Sequence, residues 1–190
     1  MSLRRSCSRY FSKWRGTTRG SPPRVSSAEV LWSWVGAFVG IALVTWLNTR
    51  WFSGTDAGLL IGSLGASAVL VYGAARSPLA QPRNLVGGHV LSALVGVGCW
   101  QLLGHWPGVA ELLAPGLAVA SAIALMHLTR TLHPPGGATA LIAVIGSEDI
   151  HAAGLWYVLI PAGLGPTLLL GVALVVNNLP ATRRYPETWW

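Results

Sequence analysis

The sequence predicts an all-α fold: a polytopic transmembrane helix bundle of about six membrane segments, the fifth of them broken or half-length. Three observations predict it. Charged residues are only 10% of the 190, against about 25% in soluble domains, and the mean hydropathy is +0.52. Beyond residue 29 the apolar residues run in blocks of membrane-span length. The remaining charges fall between the blocks, mostly basic on one side and acidic on the other.

Residues 1–29 form a basic tail. Seven of the thirteen Lys and Arg residues (Arg4, Arg5, Arg9, Lys13, Arg15, Arg19 and Arg24) precede Glu29. The prolines of SPPR, residues 21–24, discourage regular structure. The segment reads as a disordered cytoplasmic tail, which places the N-terminus inside a bacterial inner (plasma) membrane. An Arg- and Ser-rich, acid-free stretch also suits an organelle transit peptide, which would place the chain in an inner envelope. No apolar run follows Arg4 and Arg5 closely, which argues against a twin-arginine signal. The sequence pI is about 10.5, yet a basic tail on a hydrophobic body marks orientation in a bilayer, and no nucleic-acid partner is expected. Cys7 and Cys99 offer neither a disulfide framework nor a metal motif. No metal or other cofactor is predicted.

The transmembrane domain, residues 30–190, divides into apolar segments near 30–48, 57–75, 84–104, 109–128, 134–146 and 154–178. At 1.5 Å rise per residue the fifth covers about 20 Å, against a hydrocarbon core of about 30 Å. It is therefore a half-span, or is extended by non-helical backbone through His133-Pro134-Pro135. Loop charges test the count. If all six segments cross, the tail, Arg76, Arg83, Arg130, Arg183 and Arg184 share one side, and Arg50, Asp56, Glu111, Glu148 and Asp149 share the other. Six crossings obey the positive-inside rule best. Trp32, Trp34, Trp46, Trp51, Trp100, Trp106 and Trp156 fall near predicted span ends, as aromatic belts do.

The two halves echo each other. Gly36–Arg50 and Gly116–Arg130 both begin with glycine and end in Thr-Arg, and Gly65-Ala66-Ser67-Ala68 resembles Gly137-Ala138-Thr139-Ala140. The echoes differ in spacing by eight residues, and apolar sequences resemble one another by chance. A true repeat with three crossings per half would be inverted, a transporter plan with solute bound where helices break.

The stretch RTLHPPGGATALIAV, residues 130–144, interrupts the apolar pattern. Pro134 and Pro135 lack N–H groups and end the fourth segment; proline is well suited to opening the next helix. The amides of Gly137, Ala138 and Thr139 are expected as first-turn donors at the positive end of a helix, which attracts anions. The Thr139 hydroxyl, His133, Arg130 and the close approach permitted at Gly136 would complete the site. The plainer alternative is a loop between two spans.

His133-Pro134-Pro135 followed by Gly-Gly-Ala-Thr-Ala-Leu resembles the signature of the HPP family of integral membrane proteins. The resemblance extends to GSLGASAVLVYG (62–73), SPLAQPRNLVGGH (77–89) and NNLPATRRYPETWW (177–190), so it covers roughly residues 30–190. It implies a transporter, with nitrite as the solute suggested by plant chloroplast members, and it implies four transmembrane helices rather than six. In the 77–89 loop Asn84 suits a helix N-cap. Arg83 either follows the positive-inside rule or joins Arg130 in an electropositive vestibule. His89, one turn into a membrane segment, is either functional or a packing histidine. His105, His127 and His151 read as interface residues.

These readings predict a transporter or channel for a small inorganic anion, nitrite first. Its predicted substrate-binding residues are His133, Pro134, Pro135, Gly136, Gly137, Ala138, Thr139, Arg130, Gly65, Ala66, Ser67, Arg83, Asn84 and His89. No P-loop is present, so ATP-driven transport by this chain alone is not expected. A membrane anchor or sensor is the alternative. An enzyme would want a nucleophile with its base or paired carboxylates, and Glu148-Asp149 is the one acid pair. The expected partners are the lipid bilayer, the anion and further copies of the chain, because a protein this small commonly encloses a pore as a homo-oligomer.

Overall fold

The computed structural model of the protein describes residue 12 and residues 24–48, 50 and 54–190. Most of the predicted basic tail, with Cys7 and Trp51, lies outside the described residues. Helix α1 is Ser27–Asn48 and α2 is Gly54–Ala68, which continues as a π-turn, Val69–Gly73. A 3₁₀ turn, Pro78–Ala80, leads into α3, Pro82–Leu103, and α4 is Pro107–Thr129. The short α5 is Pro134–Ile145 and α6 is Glu148–Ala153. Helix α7, Leu155–Leu159, runs through a second π-turn, Ile160–Leu164, into α8, Gly165–Val176. Pro161 lies in that π-turn, where a missing N–H is accommodated by wider winding.

The fold is all-α, as predicted. Among the described residues, five helices are long and apolar enough to cross a membrane: Ser27–Asn48, Asp56–Gly73, Pro82–Leu103, Pro107–Thr129 and Leu155–Val176. The apolar α5 has 12 residues, too few for a full span. That is one long helix more than the resemblance implied, with the expected half-length segment fifth in order.

Side-chain bonds define the two ends of the bundle. At one end Arg183 reaches Glu29, Tyr185 donates to Ala80 O, and Arg83 donates to Thr129 O (2.5 Å). At the other, the Ser147 amide donates to Asp56 Oδ1 (3.1 Å), and its hydroxyl bonds Oδ2. Both the start of α1 and the C-terminal tail therefore lie at the first end, together with Arg76, Arg83, Arg130, Arg183 and Arg184. The carbonyls left open by the π-turn of α2 are satisfied there too: Tyr72 O accepts from Ser33 Oγ, and Val71 O from Asn177 Nδ2.

Packing relies on small residues, since lipid gives apolar helices no drive to associate. Helix α4 buries Ala110, Ala114, Ala118, Ala122 and Met126, one stripe at four-residue spacing. Its opposite face shows Leu112 and Leu128, 78% and 79% exposed, outward to the lipid. The α3–α5 contact is closer still: a Cβ on Gly96 would lie 2.5 Å from Ala140 O.

Arg183 is the main polar tie of the first end. Its side chain is 4% exposed and sits 2.8 Å from the Glu29 carboxylate. It also donates to Glu29 O and Ser33 Oγ (2.7 Å each) and to Asn177 Oδ1 (3.0 Å). Arg183→Ala strands these acceptors. Because Glu29 keeps some solvent contact, the cost should fall between surface and buried ion pairs, about 2 kcal/mol. A lowered thermal midpoint in detergent and faster protease clipping after residue 176 are the expected readouts.

Candidate functional site

Thr131, Leu132 and His133 are non-helical, and the chain re-enters the bundle through them. His133 caps α5 in an extended conformation (φ −141°, ψ 105°), as a residue before proline must. This segment lies directly on α3, where a Cβ on Gly88 would sit 2.6 Å from His133 Cβ and 2.8 Å from Thr131 O. A side chain there would hold the segment away; its absence brings His133 beside His89, with ring centroids 5.1 Å apart.

A buried cluster of hydroxyls and imidazoles results where α2, α3 and α5 meet. Ser67 Oγ stands between the two rings, 2.7 Å from His89 Nε2 and 2.9 Å from His133 Nε2. His89 Nδ1 is 2.6 Å from Thr139 Oγ1, which is 3.0 Å from Ser63 Oγ. Ser63 also reaches Pro135 O (3.1 Å), and His133 Nδ1 faces Leu79 O (2.8 Å). Ser67 and His133 are 0% exposed, His89 1%, Thr139 3% and Ser63 5%. Tyr157 donates to Thr139 O (2.7 Å), bracing α5 from behind.

The structure thus unites Ser67, His89, His133, Thr139 and the Pro135 carbonyl from the predicted set. Gly136 and Gly137 are buried beside them, and a Cβ on Gly136 would meet Ser92 Oγ at 2.8 Å. Sequence reading missed Ser63, Ser92, Tyr157 and the Leu79 carbonyl. Ser63 was legible, since it lies four residues before Ser67 on the same helix face. Other predicted residues stand apart. Gly65, Ala66 and Ala138 are not buried, and Pro134 and Arg130 are exposed. Arg130 takes the left-handed conformation (φ 58°) that ends α4.

Two expectations need correction. Asn84 is not the N-cap of α3: Gln81 is, and Asn84 donates from the first turn to Leu132 O (2.8 Å). Arg83 donates to Thr129 O, the residue just before Arg130, so the two arginines share one end of the bundle. A cleft of about 480 Å³ at that end is lined by Arg76, Arg183 and Arg184 with Glu29. Second, the Ala138 and Thr139 amides are not free. The helix starts at Pro134, so Ala138 and Thr139 have the carbonyls of Pro134 and Pro135 as i−4 partners. Pro134 and Pro135 have no N–H to offer, and the Gly136 amide donates to His133 O (2.8 Å). The two prolines remove two of the orphan donors that make most helix starts attract anions. Polar chemistry at this site resides in side chains.

Outside the spans, burial pushes the Tyr185 phenol up, so it remains a proton donor to Ala80 O (2.7 Å). That bond holds the 3₁₀ turn, and with it the neighbouring Leu79 carbonyl. The family model of the HPP transmembrane region matches residues 22–186. The chain belongs to the HPP family. This HPP chain is similar to two transmembrane proteins of Dictyostelium discoideum. One is 45% identical over 181 residues, covering 95% of this chain and 57% of the relative. The other is 43% identical over 182 residues, covering 95% and 63%. The HPP chain therefore spans about six-tenths of the length of these relatives. No solved structure matches it.

Proposed function

We propose that this HPP protein carries a small inorganic anion, nitrite, across its membrane, with the histidine–hydroxyl cluster as the polar centre on its path. The observation behind this reading is the cluster itself: two imidazoles and three hydroxyls, almost wholly buried, inside a bundle whose outer surface is apolar. Ionisable side chains are costly at such depth, and where they occur they usually line solute or ion pathways. Each group can present an O–H or N–H to a negative solute after rotation or a change of tautomer. The basic end, taken as cytoplasmic by the positive-inside rule, adds Arg76 and Arg184 at the mouth of the 480 Å³ cleft.

An inverted repeat suits this reading. Ser67 and Thr139 hold equivalent places in the two echoed motifs, and both bond His89. Helix α1 packs on α2 and α8, as α4 packs on α5 and α3. A homo-oligomer completes the proposal. A hydrolytic reading suits the site less well: Ser67 lies at nucleophile–base distance from both imidazoles, but His89 Nδ1 meets Thr139 and His133 Nδ1 meets Leu79 O, neither of them a carboxylate, and Ser67 is wedged between the rings.

The test is nitrite uptake into liposomes carrying the purified protein. His133→Ala removes a donor from the centre and should slow uptake about tenfold to a hundredfold, the effect of one hydrogen bond to a charged group. Arg130→Gln removes an exposed charge and should change uptake by less than about threefold, chiefly at low salt. Wild-type flux equal to that of empty liposomes removes the proposal. Wild-type flux with no change in His133→Ala would take the cluster off the path.

A further inference from the structure

We propose that the buried cluster is a proton relay of fixed polarity, running from Ser63 to His133. This rests on the anion-carrier reading only for the identity of the acid that feeds it.

One carbonyl sets the direction of every hydrogen. Leu79 O can only accept, so His133 Nδ1, 2.8 Å away, carries a hydrogen. In the neutral ring Nε2 is then an acceptor, and Ser67 Oγ donates to it at 2.9 Å in preference to the Ser63 carbonyl at 3.4 Å. Ser67 has one hydrogen, so its 2.7 Å contact with His89 Nε2 requires His89 to donate. His89 Nδ1 is consequently an acceptor and takes the Thr139 hydroxyl hydrogen at 2.6 Å, the Pro135 carbonyl lying farther off at 3.5 Å. With that hydrogen committed, Thr139 Oγ1 accepts from Ser63 (3.0 Å). The Ser63 hydroxyl can instead turn to Pro135 O (3.1 Å), which disconnects the chain at its entrance. The two histidines must therefore hold opposite tautomers, an asymmetry that mere packing does not demand.

Such a chain can pass a proton without moving a heavy atom far. A weak acid HA at Ser63 gives its proton to Ser63 Oγ and leaves as A⁻, keeping the bonding electron pair. Ser63 passes its own hydrogen to Thr139, Thr139 passes one to His89 Nδ1, His89 Nε2 gives one to Ser67, and Ser67 gives one to His133 Nε2. Every intermediate gains one proton and loses one. The net change is HA and neutral His133 going to A⁻ and an imidazolium whose Nδ1–H still rests on Leu79 O. Nitrous acid, the protonated form of the proposed solute, belongs to this class.

The neighbouring ionisable groups do not interrupt the chain. On α2, Asp56 is held by Ser147 at the far end. Tyr157 donates to the Thr139 carbonyl, leaving its hydroxyl free for the relay. Arg83 is bonded to Thr129 O, and Tyr185 to Ala80 O. On α4, Glu111, His127 and the capping Arg130 are exposed.

The test begins with nitrogen-15 NMR of histidine-labelled protein in nanodiscs at neutral pH, assigned with His89→Gln and His133→Asn. His133 should carry its hydrogen on Nδ1 and His89 on Nε2. The same tautomer in both rings, or a doubly protonated ring at rest, overturns the relay whatever the transport result. In liposomes enclosing a pH dye, nitrite should acidify the lumen above the protein-free rate, and Ser67→Ala should cut that excess at least about tenfold. Nitrite flux without proton movement overturns the relay and leaves the carrier standing. No flux overturns the carrier, and the nitrogen-15 pattern then decides the relay.

Discussion

Replacing Gly96 with alanine should destabilise the bundle by about 1–3 kcal/mol, even though alanine is the better helix former by about 1 kcal/mol. The new Cβ would lie 2.5 Å from Ala140 O, 2.7 Å from Ala143 Cβ and 3.0 Å from Ala140 Cα. Two of these atoms are backbone of α5, so relief requires the whole helix to move. Because α5 carries Thr139 and follows His133, the same displacement should open the cluster and depress uptake. Gly98, two residues on, has nothing within 4 Å of its added Cβ. Gly98→Ala should be neutral or mildly stabilising, through helix propensity alone. Thermal midpoints of the two variants in detergent provide the comparison. Equal midpoints would mean that α3 and α5 are not in the contact described.

His89→Ala is the second large effect expected. It leaves the Ser67 and Thr139 hydroxyls facing a void inside the bundle, with a lost partner on each side. Nitrite uptake should fall about tenfold to a hundredfold, and the thermal midpoint should drop with it. His89→Gln separates two roles. Its amide nitrogen can donate to Ser67 and its oxygen can accept from Thr139, but an amide does not pass protons as an imidazole does. This variant should keep wild-type stability and the gain in thermal midpoint on adding nitrite, yet lose proton-coupled uptake. If both variants behave as wild type in flux, the cluster is structural packing.

The predicted site was legible where residue chemistry clashes with its surroundings. His133, Thr139, Ser67 and His89 are polar within apolar segments, and depth in a bilayer makes such residues conspicuous. The free amides expected at Ala138 and Thr139 failed for a local reason: the two prolines open the helix rather than precede it, so they occupy the positions whose donors would have been free. For Arg83 a sequence gives the side of a charge but not its partner, which is the Thr129 carbonyl. Leu79 was invisible, since its contribution is a backbone carbonyl and any residue has one.

Sequence by itself determined that the chain is a helical membrane protein with a half-length fifth segment and with Arg76, Arg83, Arg130, Arg183 and Arg184 gathered at one end. Those features follow from bilayer thickness, from the cost of charge in hydrocarbon and from proline geometry, all of which act on local composition. Only the tertiary structure decided that Ser67 bridges His89 and His133, and that Leu79 O orders the hydrogens along the cluster. Those depend on contacts between residues 22 to 66 positions apart. Such contacts are set by how closely Gly88 and Gly96 let two helices approach, a distance that no local pattern encodes.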